Sequence, residues 1–165
     1  MPLYFAYGSN MDVAAMAARC PRSVAIGPAR LVRHRLAAMR EGWLTVVRDP
    51  RACVDGVLWT LALCDAPALD RYEGVAGGLY RKALQSVTTP AGPKRALIYF
   101  GANAGPGAPP ADYIEAIVAA ARHWGLPAAA WEAFLPSRGG APAAARATHG
   151  AVRVRPRFAT PFDQP

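Results

Sequence analysis

The chain opens with an uninterrupted apolar stretch that gives way to a turn and then to a helical composition. Residues 3–7 are apolar between Pro2 and Gly8, which is typical of a buried strand. Residues 8–10 (GSN) favour a turn, and residues 11–19 have the composition of a helix. The first twenty residues therefore predict a strand, a turn and a helix in that order.

Alternating and continuous apolar positions predict most of the remaining elements as strands. These strands are expected at residues 29–39, 43–48, 54–63, 80–88 and 95–100. A short helix is predicted to begin at Asp65, a capping acid with Pro67 in the first turn, and to end at Gly74. Because strands outnumber helices here, the chain is predicted to be α+β around one strongly curved sheet.

The second part of the chain is predicted to be helical. After a loop rich in glycine, proline and alanine at residues 101–110, apolar residues recur at helical spacing through residues 112–124. A shorter helix is expected over residues 127–135. We therefore predict one domain over residues 1–135 and an Arg/Ala/Pro-rich tail over residues 136–165, with an edge strand at residues 151–154.

Composition narrows the function classes. With 53% hydrophobic and 18% charged residues, the 165-residue chain has a globular composition, and no apolar run approaches the roughly 20 residues of a membrane helix. The net charge of +8 raises the possibility of nucleic-acid binding, but half of it lies in the tail, where five arginines meet one aspartate. No basic stripe with interleaved aromatic residues lies elsewhere, so neither a nucleic-acid nor a membrane partner is expected.

Cysteine and histidine usage excludes two further kinds of site. Three cysteines without a C-x-x-C pair fit neither a disulfide framework nor a zinc knuckle, and the three histidines lack metal-ligand spacing. The chain has no basic segment at its start, so a secretory signal is not indicated either. We expect a cytoplasmic protein without a metal or other cofactor.

The turn at residues 7–10 (YGSN) is the first candidate site. A strand that ends in glycine and opens a helix leaves backbone N–H groups unpaired, which suits a carboxylate or phosphate. The phosphate-binding loop also needs a later Gly-Lys-Ser/Thr, which is absent here, so nucleotide binding is disfavoured. The alternative is an ordinary strand-to-helix turn in which Ser9 or Asn10 caps the helix.

Glu73 is the second candidate. It lies four residues after Leu69 on the expected inner face of the short helix, whereas Asp70 and Arg71 are expected to point away. Burial and the negative end of the helix dipole would both raise its pKa towards neutrality, as a proton shuttle requires. The alternative is a solvated glutamate at a frayed helix end.

The other conspicuous residues give weaker signals. Tyr80 and Tyr113 lie near predicted loop junctions, where tyrosine is usually a half-buried packing residue, and the four tryptophans are most simply core residues. Ser9 is not in a G-x-S-x-G motif, and no histidine is placed for a catalytic triad. One carboxylate without a metal or nucleophile suggests a reaction in which the substrate attacks itself.

Four segments in order resemble the γ-glutamylcyclotransferase family. They are residues 4–11 (YFAYGSNM), 54–59 (VDGVLW), 69–80 (LDRYEGVAGGLY) and 110–127, from PADY to GLP. Together they cover residues 4 to 135, whereas the tail has no counterpart. The resemblance implies a small mixed β-barrel flanked by helices. It also implies an intramolecular reaction in which the α-amino group of a γ-glutamyl compound attacks the γ-carbonyl and releases 5-oxoproline.

The resemblance also implies the role of each site residue. Glu73 would be the general base that moves the proton, and Tyr80 and Tyr113 would line the pocket and orient the substrate. The γ-glutamyl group would be held by backbone donors of Tyr7, Gly8, Ser9 and Asn10. No cofactor is implied, since the ring closes within the substrate. We expect the Glu73 carboxylate to face residues 7–10 across a substrate-sized cavity.

Several alternatives stay open at this point. Related subfamilies act on γ-glutamyl amino acids, on γ-glutamyl-amines or on glutathione, and the YGSN and EGV segments favour the first. A catalytically silent module that holds a carboxylate ligand on the same fold is the alternative function, although it would have no use for a buried base. The sequence leaves the oligomeric state open, with a homodimer as one option.

Overall fold

The structure is a computed structural model that describes residues 1–136, so the tail and its predicted strand at residues 151–154 lie outside the described residues. Within the described part, five strands form a closed barrel. They are β1 (Leu3–Ala6), β2 (Val24–Ala38), β3 (Leu44–Thr60), β4 (Tyr80–Thr89) and β5 (Gly92–Gly101). Four helices accompany them: α1 (Val13–Arg19), α2 (Ala66–Tyr72), α3 (Ala111–His123) and α4 (Ala129–Glu132).

The barrel is mixed because one of its pairings is parallel. The strands follow the order β1, β3, β2, β4, β5, and β5 closes the barrel by pairing with β1 in parallel at Tyr4 and Leu97. The other neighbours pair antiparallel. The predicted α+β class, with a small mixed β-barrel flanked by helices, is confirmed. None of the helices within residues 1–136 is long and apolar enough to cross a membrane.

The prediction of separate strands at residues 43–48 and 54–63 was wrong, because both stretches belong to β3. Pro50 suggests a break, since proline cannot donate to a ladder. In the structure it lies between Arg48 and Cys53, where the pairing with β2 shifts register. An irregularity in a long strand thus accommodates the proline without ending the strand.

A close approach of β1 and β3 explains one glycine of the VDGVLW segment. A Cβ atom at Gly56 would lie 2.3 Å from the carbonyl oxygen of Ala6 and 2.6 Å from the Phe5 ring. Any side chain there would push β1 away from β3. Gly56 therefore fixes the position of the strand that leads into residues 7–10.

The first helix starts later than predicted and has a different cap. A 3-10 turn covers Ser9–Met11, and α1 follows after Asp12, whose Oδ1 accepts a 2.6 Å hydrogen bond from the backbone N–H of Ala15. The alternative in which Ser9 or Asn10 caps this helix is therefore wrong. Their side chains have other partners in the structure.

The short helix α2 starts and ends where the sequence predicts. Asp65 occupies the position before it, but its carboxylate accepts from the backbone N–H of Arg22 and from Ser23 Oγ, so the predicted side-chain cap is wrong. At the other end Gly74 has φ +65°, a conformation that favours glycine and stops the helix after Glu73. The last predicted helix is also shorter than residues 127–135, since α4 spans Ala129–Glu132.

Candidate functional site

Glu73 is buried at the end of α2. It is 6% exposed, and its Oε1 accepts a 2.8 Å hydrogen bond from Asn10 Nδ2. The alternative of a solvated glutamate at a frayed helix end is therefore wrong. The carboxylate meets the turn directly at Asn10, so the expected cavity does not separate these two side chains.

Asn10 connects Glu73 to two further side chains. Its Nδ2 also donates to the Tyr4 hydroxyl at 2.9 Å, and its Oδ1 accepts from Arg19 Nη1 at 2.6 Å. We call these four residues, Tyr4, Asn10, Arg19 and Glu73, the carboxylate cluster. Tyr4 is only 3% exposed, and burial, followed by the nearby Glu73 charge, raises the pKa of Tyr4 well above its usual range. Its hydroxyl therefore stays protonated.

A second connection joins α2 to the turn. The Tyr72 hydroxyl and Ser9 Oγ lie 2.9 Å apart in a hydrogen bond, and the Arg19 guanidinium lies over the Tyr72 ring, 3.6 Å from its centroid. The residue before Glu73 is thus tied to the turn on one side and to α1 on the other. This arrangement fixes the backbone from which the Glu73 side chain projects.

Hydrogen bonds to the carbonyl groups of Tyr7 and Met11 and from the Tyr7 hydroxyl anchor the turn at residues 7–10. Trp131 Nε1 donates to the carbonyl oxygen of Tyr7 at 2.9 Å, and Trp124 Nε1 donates to that of Met11 at 2.8 Å. The Tyr7 hydroxyl donates to the Tyr99 carbonyl at 2.6 Å. Trp124 and Trp131 are thus more than core residues, because their indole N–H groups fix this turn.

The backbone N–H groups of the same turn differ from these carbonyl groups in their hydrogen bonding. Within residues 1–136, the backbone N–H groups of Gly8, Ser9 and Asn10 donate to no protein acceptor. Three neighbouring donors of this kind can hold an anionic or carbonyl oxygen. This is the chemistry that the sequence predicts for residues 7–10.

Tyr80 and Tyr113 both bond to the backbone of one residue of β3. The Tyr80 hydroxyl donates to the carbonyl oxygen of Leu44 at 2.6 Å, and the backbone N–H of Leu44 donates to the Tyr113 hydroxyl at 3.3 Å. We call Leu44, Tyr80 and Tyr113 the Leu44 clamp. The Tyr113 hydroxyl also lies 3.6 Å from the position that a Cβ atom would take at Gly8. The clamp therefore reaches the same turn as the carboxylate cluster.

The contacts of Asp70, beside the carboxylate cluster, were not predicted from the sequence. Asp70 accepts a 2.6 Å hydrogen bond from the Tyr99 hydroxyl and forms a 2.6 Å ion pair with Lys82. The prediction that Asp70 points away from the barrel was therefore wrong. Partial burial would raise the pKa of Asp70, but its bonds to Lys82 and Tyr99 outweigh that effect and lower it.

The structure thus brings Glu73 and Tyr113 to residues 7–10, whereas Tyr80 is connected to the turn only through Leu44 and Tyr113. Glu73 and Asn10 are in contact, Ser9 is bonded to Tyr72, and the Leu44 clamp lies beside Gly8. Tyr4 and Arg19 were missed, although Tyr4 begins the YFAYGSNM segment. Among residues 1–136, no group of three His, Cys, Asp or Glu side chains is arranged to hold a metal ion.

Comparisons with known proteins point in one direction. The model of the AIG2-like family matches residues 53–133. Gamma-glutamylcyclotransferase from Mus musculus is 32% identical over 136 residues, covering 76% of this chain and 72% of that protein. The protein of the same name from Bos taurus is 30% identical over the same shares. A solved structure of a gamma-glutamyl cyclotransferase matches with a TM-score of 0.74 and 27% identity, over 84% of this chain and 91% of that one.

Proposed function

Because the chain belongs to the γ-glutamylcyclotransferase family, we propose that it converts a γ-glutamyl amino acid or amine into 5-oxoproline and the free amino acid or amine. The observation that carries the proposal is the buried Glu73 carboxylate, hydrogen-bonded to Asn10 of the turn. A buried carboxylate beside unused backbone donors can move a proton while the substrate is held in place.

The proposed reaction starts with the α-ammonium group of the substrate. Glu73 accepts a proton from this group, and the resulting amine attacks the γ-carbonyl carbon. The C–N bond that forms closes the five-membered ring, and the former amide nitrogen becomes the leaving group. Glu73 then returns the proton to that nitrogen as the original γ-amide bond breaks. The ring nitrogen loses a second proton as it becomes the lactam N–H, and Glu73 passes this proton to the same leaving nitrogen, which departs as an ammonium group. No proton is gained or lost overall, and no external reactant is required.

The turn would supply orientation and charge stabilisation. The backbone N–H groups of Gly8, Ser9 and Asn10 are fixed in place because the tryptophans anchor the turn from its carbonyl side. Donors that need no reorganisation during the reaction stabilise negative charge best. Held against them, the γ-glutamyl group would have its amine and carbonyl close enough for ring closure, which removes much of the entropic cost.

The Leu44 clamp would shape the pocket on the other side of the turn. Because the Tyr80 hydroxyl is already bonded to the Leu44 carbonyl, its role would be to position β3 and the pocket wall. Tyr113 would complete this wall beside Gly8. The proposal keeps the cytoplasmic setting expected from the sequence.

The proposal is tested by incubating the protein with γ-glutamyl dipeptides, γ-glutamyl-lysine and glutathione and quantifying 5-oxoproline. We expect 5-oxoproline and the free amine in equal amounts, with γ-glutamyl amino acids as the preferred class. The matched control is an α-glutamyl dipeptide, which presents the wrong carbonyl to the amine and should be inert. Saturable binding of these compounds without any 5-oxoproline would instead support the silent carboxylate-binding module.

A further inference from the structure

Arg19 is the last residue of α1. It contacts Asn10 and Tyr72, and none of the described bonds joins it directly to Glu73, the proposed base. Its Nη1 donates to Asn10 Oδ1 at 2.6 Å, and its guanidinium carbon lies 3.6 Å from the centroid of the Tyr72 ring. Asn10 is the hydrogen-bond donor to Glu73, and Tyr72 precedes Glu73 in the chain. Arg19 therefore acts on both the partner and the backbone of Glu73.

The first contact fixes the orientation of the Asn10 amide. The NH₂ group donates to both Tyr4 and Glu73, so the carbonyl oxygen must face elsewhere. An arginine has donors only and requires that oxygen to face it. If the amide turned by 180°, its NH₂ group would face the guanidinium and its oxygen would face the Glu73 carboxylate. Both contacts would then be repulsive.

The second contact fixes the end of α2. The planar guanidinium stacks on Tyr72, whose hydroxyl is bonded to Ser9 Oγ, so α1, α2 and the turn are joined at one point. A lysine could supply the charge and one donor to Asn10, but it could not reproduce a planar stack with simultaneous in-plane hydrogen bonding. The geometry therefore depends on arginine in particular.

We propose that Arg19 is a positioning residue for Glu73, acting through the Asn10 amide and the Tyr72 ring. The inference rests on the proposed function, since it assigns Arg19 a role in the proton transfer that Glu73 would perform. Arg19 is not a catalytic residue in this account. It holds the Glu73 carboxylate correctly oriented and bonded to Asn10.

Other titratable groups within residues 1–136 also lie near Glu73. The Tyr4 and Tyr99 hydroxyls, on β1 and β5, both interact electrostatically with Glu73. Asp70 lies one turn earlier on α2 and is paired with Lys82 of β4. The two tyrosines stay protonated, because burial first and neighbouring carboxylates second raise the pKa of each. Because a nearby cation favours the ionised form of a carboxylate, we expect loss of the Arg19 charge to shift the titration of Glu73 to higher pH.

The experiment compares R19M and R19K with the wild type, and uses R22M as the matched control because Arg22 is an exposed arginine three residues further on. We expect R19M to lower kcat by about 10- to 100-fold with KM changed less than about threefold, as displacement of a reacting group predicts. The acidic limb of the kcat–pH profile should move to higher pH. R19K should recover part of kcat and of the profile, and R22M should match the wild type.

A readout without turnover separates this inference from the proposed function. The side-chain carboxyl carbon of Glu73 is followed by NMR in ¹³C-glutamate-labelled protein, with its resonance assigned from E73Q. We expect the titration midpoint to rise in R19M and to stay in place in R22M, whether or not the wild type forms 5-oxoproline. If R19M does not fold, R19K takes its place in the test. We expect folded R19K to lose less kcat than an unfolded variant would. An unchanged midpoint together with an unchanged kcat in the folded Arg19 variant would overturn the inference.

Discussion

The carboxylate cluster and the Leu44 clamp contact the same turn but are built from different interactions. In the cluster, side chains bond to side chains, and the ionisable groups of Glu73 and Arg19 are part of the arrangement. In the clamp, two tyrosine hydroxyls bond to the backbone N–H and carbonyl groups of one residue. Under the proposed function, a substitution in the cluster would change which protons can move, whereas one in the clamp would change only the position of the pocket wall. The predictions below separate these two kinds of effect.

The largest effect is expected for Glu73→Gln. Glutamine keeps an oxygen that can accept from Asn10, so the fold and the turn should persist, but it cannot accept and return a proton. We expect turnover to fall by about 10²- to 10⁴-fold while substrate affinity, measured by calorimetry, stays within a few-fold. Glu115→Gln, at an exposed carboxylate of α3, is the control and should be fully active. Wild-type kcat in E73Q would remove the assignment of Glu73 as the base.

A smaller effect is expected for Tyr80→Phe in the clamp. The substitution leaves the carbonyl oxygen of Leu44 without its 2.6 Å bond, which costs about 1–3 kcal/mol of folding free energy. Since no proton is moved by Tyr80 in this account, kcat should fall by less than about tenfold, and the shape of its pH profile should not change. Tyr113→Phe should do less, because its bond to Leu44 is longer at 3.3 Å. A loss in Y80F as large as that in E73Q would show that the clamp takes part in proton transfer.

Asp70→Asn tests the group beside the cluster and should affect stability more than activity. The folded-state pKa of Asp70 is lowered, so its stabilising contribution is present above the unfolded pKa and is lost as pH falls through the folded value. The pair with Lys82 is partly exposed, so the contribution should stay below about 1 kcal/mol. We expect D70N to show a smaller drop in Tm between neutral and acidic pH than the wild type. An equal drop in both proteins would mean that Asp70 contributes no acid sensitivity.

The smallest effect on turnover is expected from truncation at Pro136. All four segments that resemble the family precede this residue, so the shortened chain should keep the activity of the full chain. Neither form should retard a nucleic-acid duplex at physiological salt, although truncation removes half of the net charge. Activity lost with the circular dichroism spectrum intact would assign the tail a part in the site. Salt-dependent binding lost on truncation would add a second function.

The sequence predicted the fold class and the presence of nearly every element within residues 1–136, because apolar periodicity and glycine positions determine them locally. It divided β3 into two strands on either side of Pro50, because whether a proline ends a strand depends on a register shift with a partner strand, which the local sequence does not show. It also predicted that Asp65 caps α2, whereas its carboxylate accepts from Ser23 Oγ and the backbone N–H of Arg22 instead. Such partners come from distant parts of the chain and leave no local pattern.

The motifs of the candidate site were predictable from the sequence, but the contacts between its residues were not. Glu73, Tyr80 and the turn at residues 7–10 lie in segments that resemble the family. Arg19 carries no such signal, because a single arginine at the end of a helix is ordinary in composition. Its importance comes from Asn10 and Tyr72, which the fold brings against it from nine and fifty-three positions away in the chain.

The central claim is that the substrate closes its own ring and that water takes no part. It is tested most directly by running the reaction on a γ-glutamyl dipeptide in H₂¹⁸O and analysing the products by mass spectrometry. The account predicts unlabelled 5-oxoproline and free amino acid in a 1:1 ratio, because the C–N bond of the ring replaces the amide bond without hydrolysis. Glutamate carrying one ¹⁸O atom in its γ-carboxyl group would show hydrolysis and contradict the account.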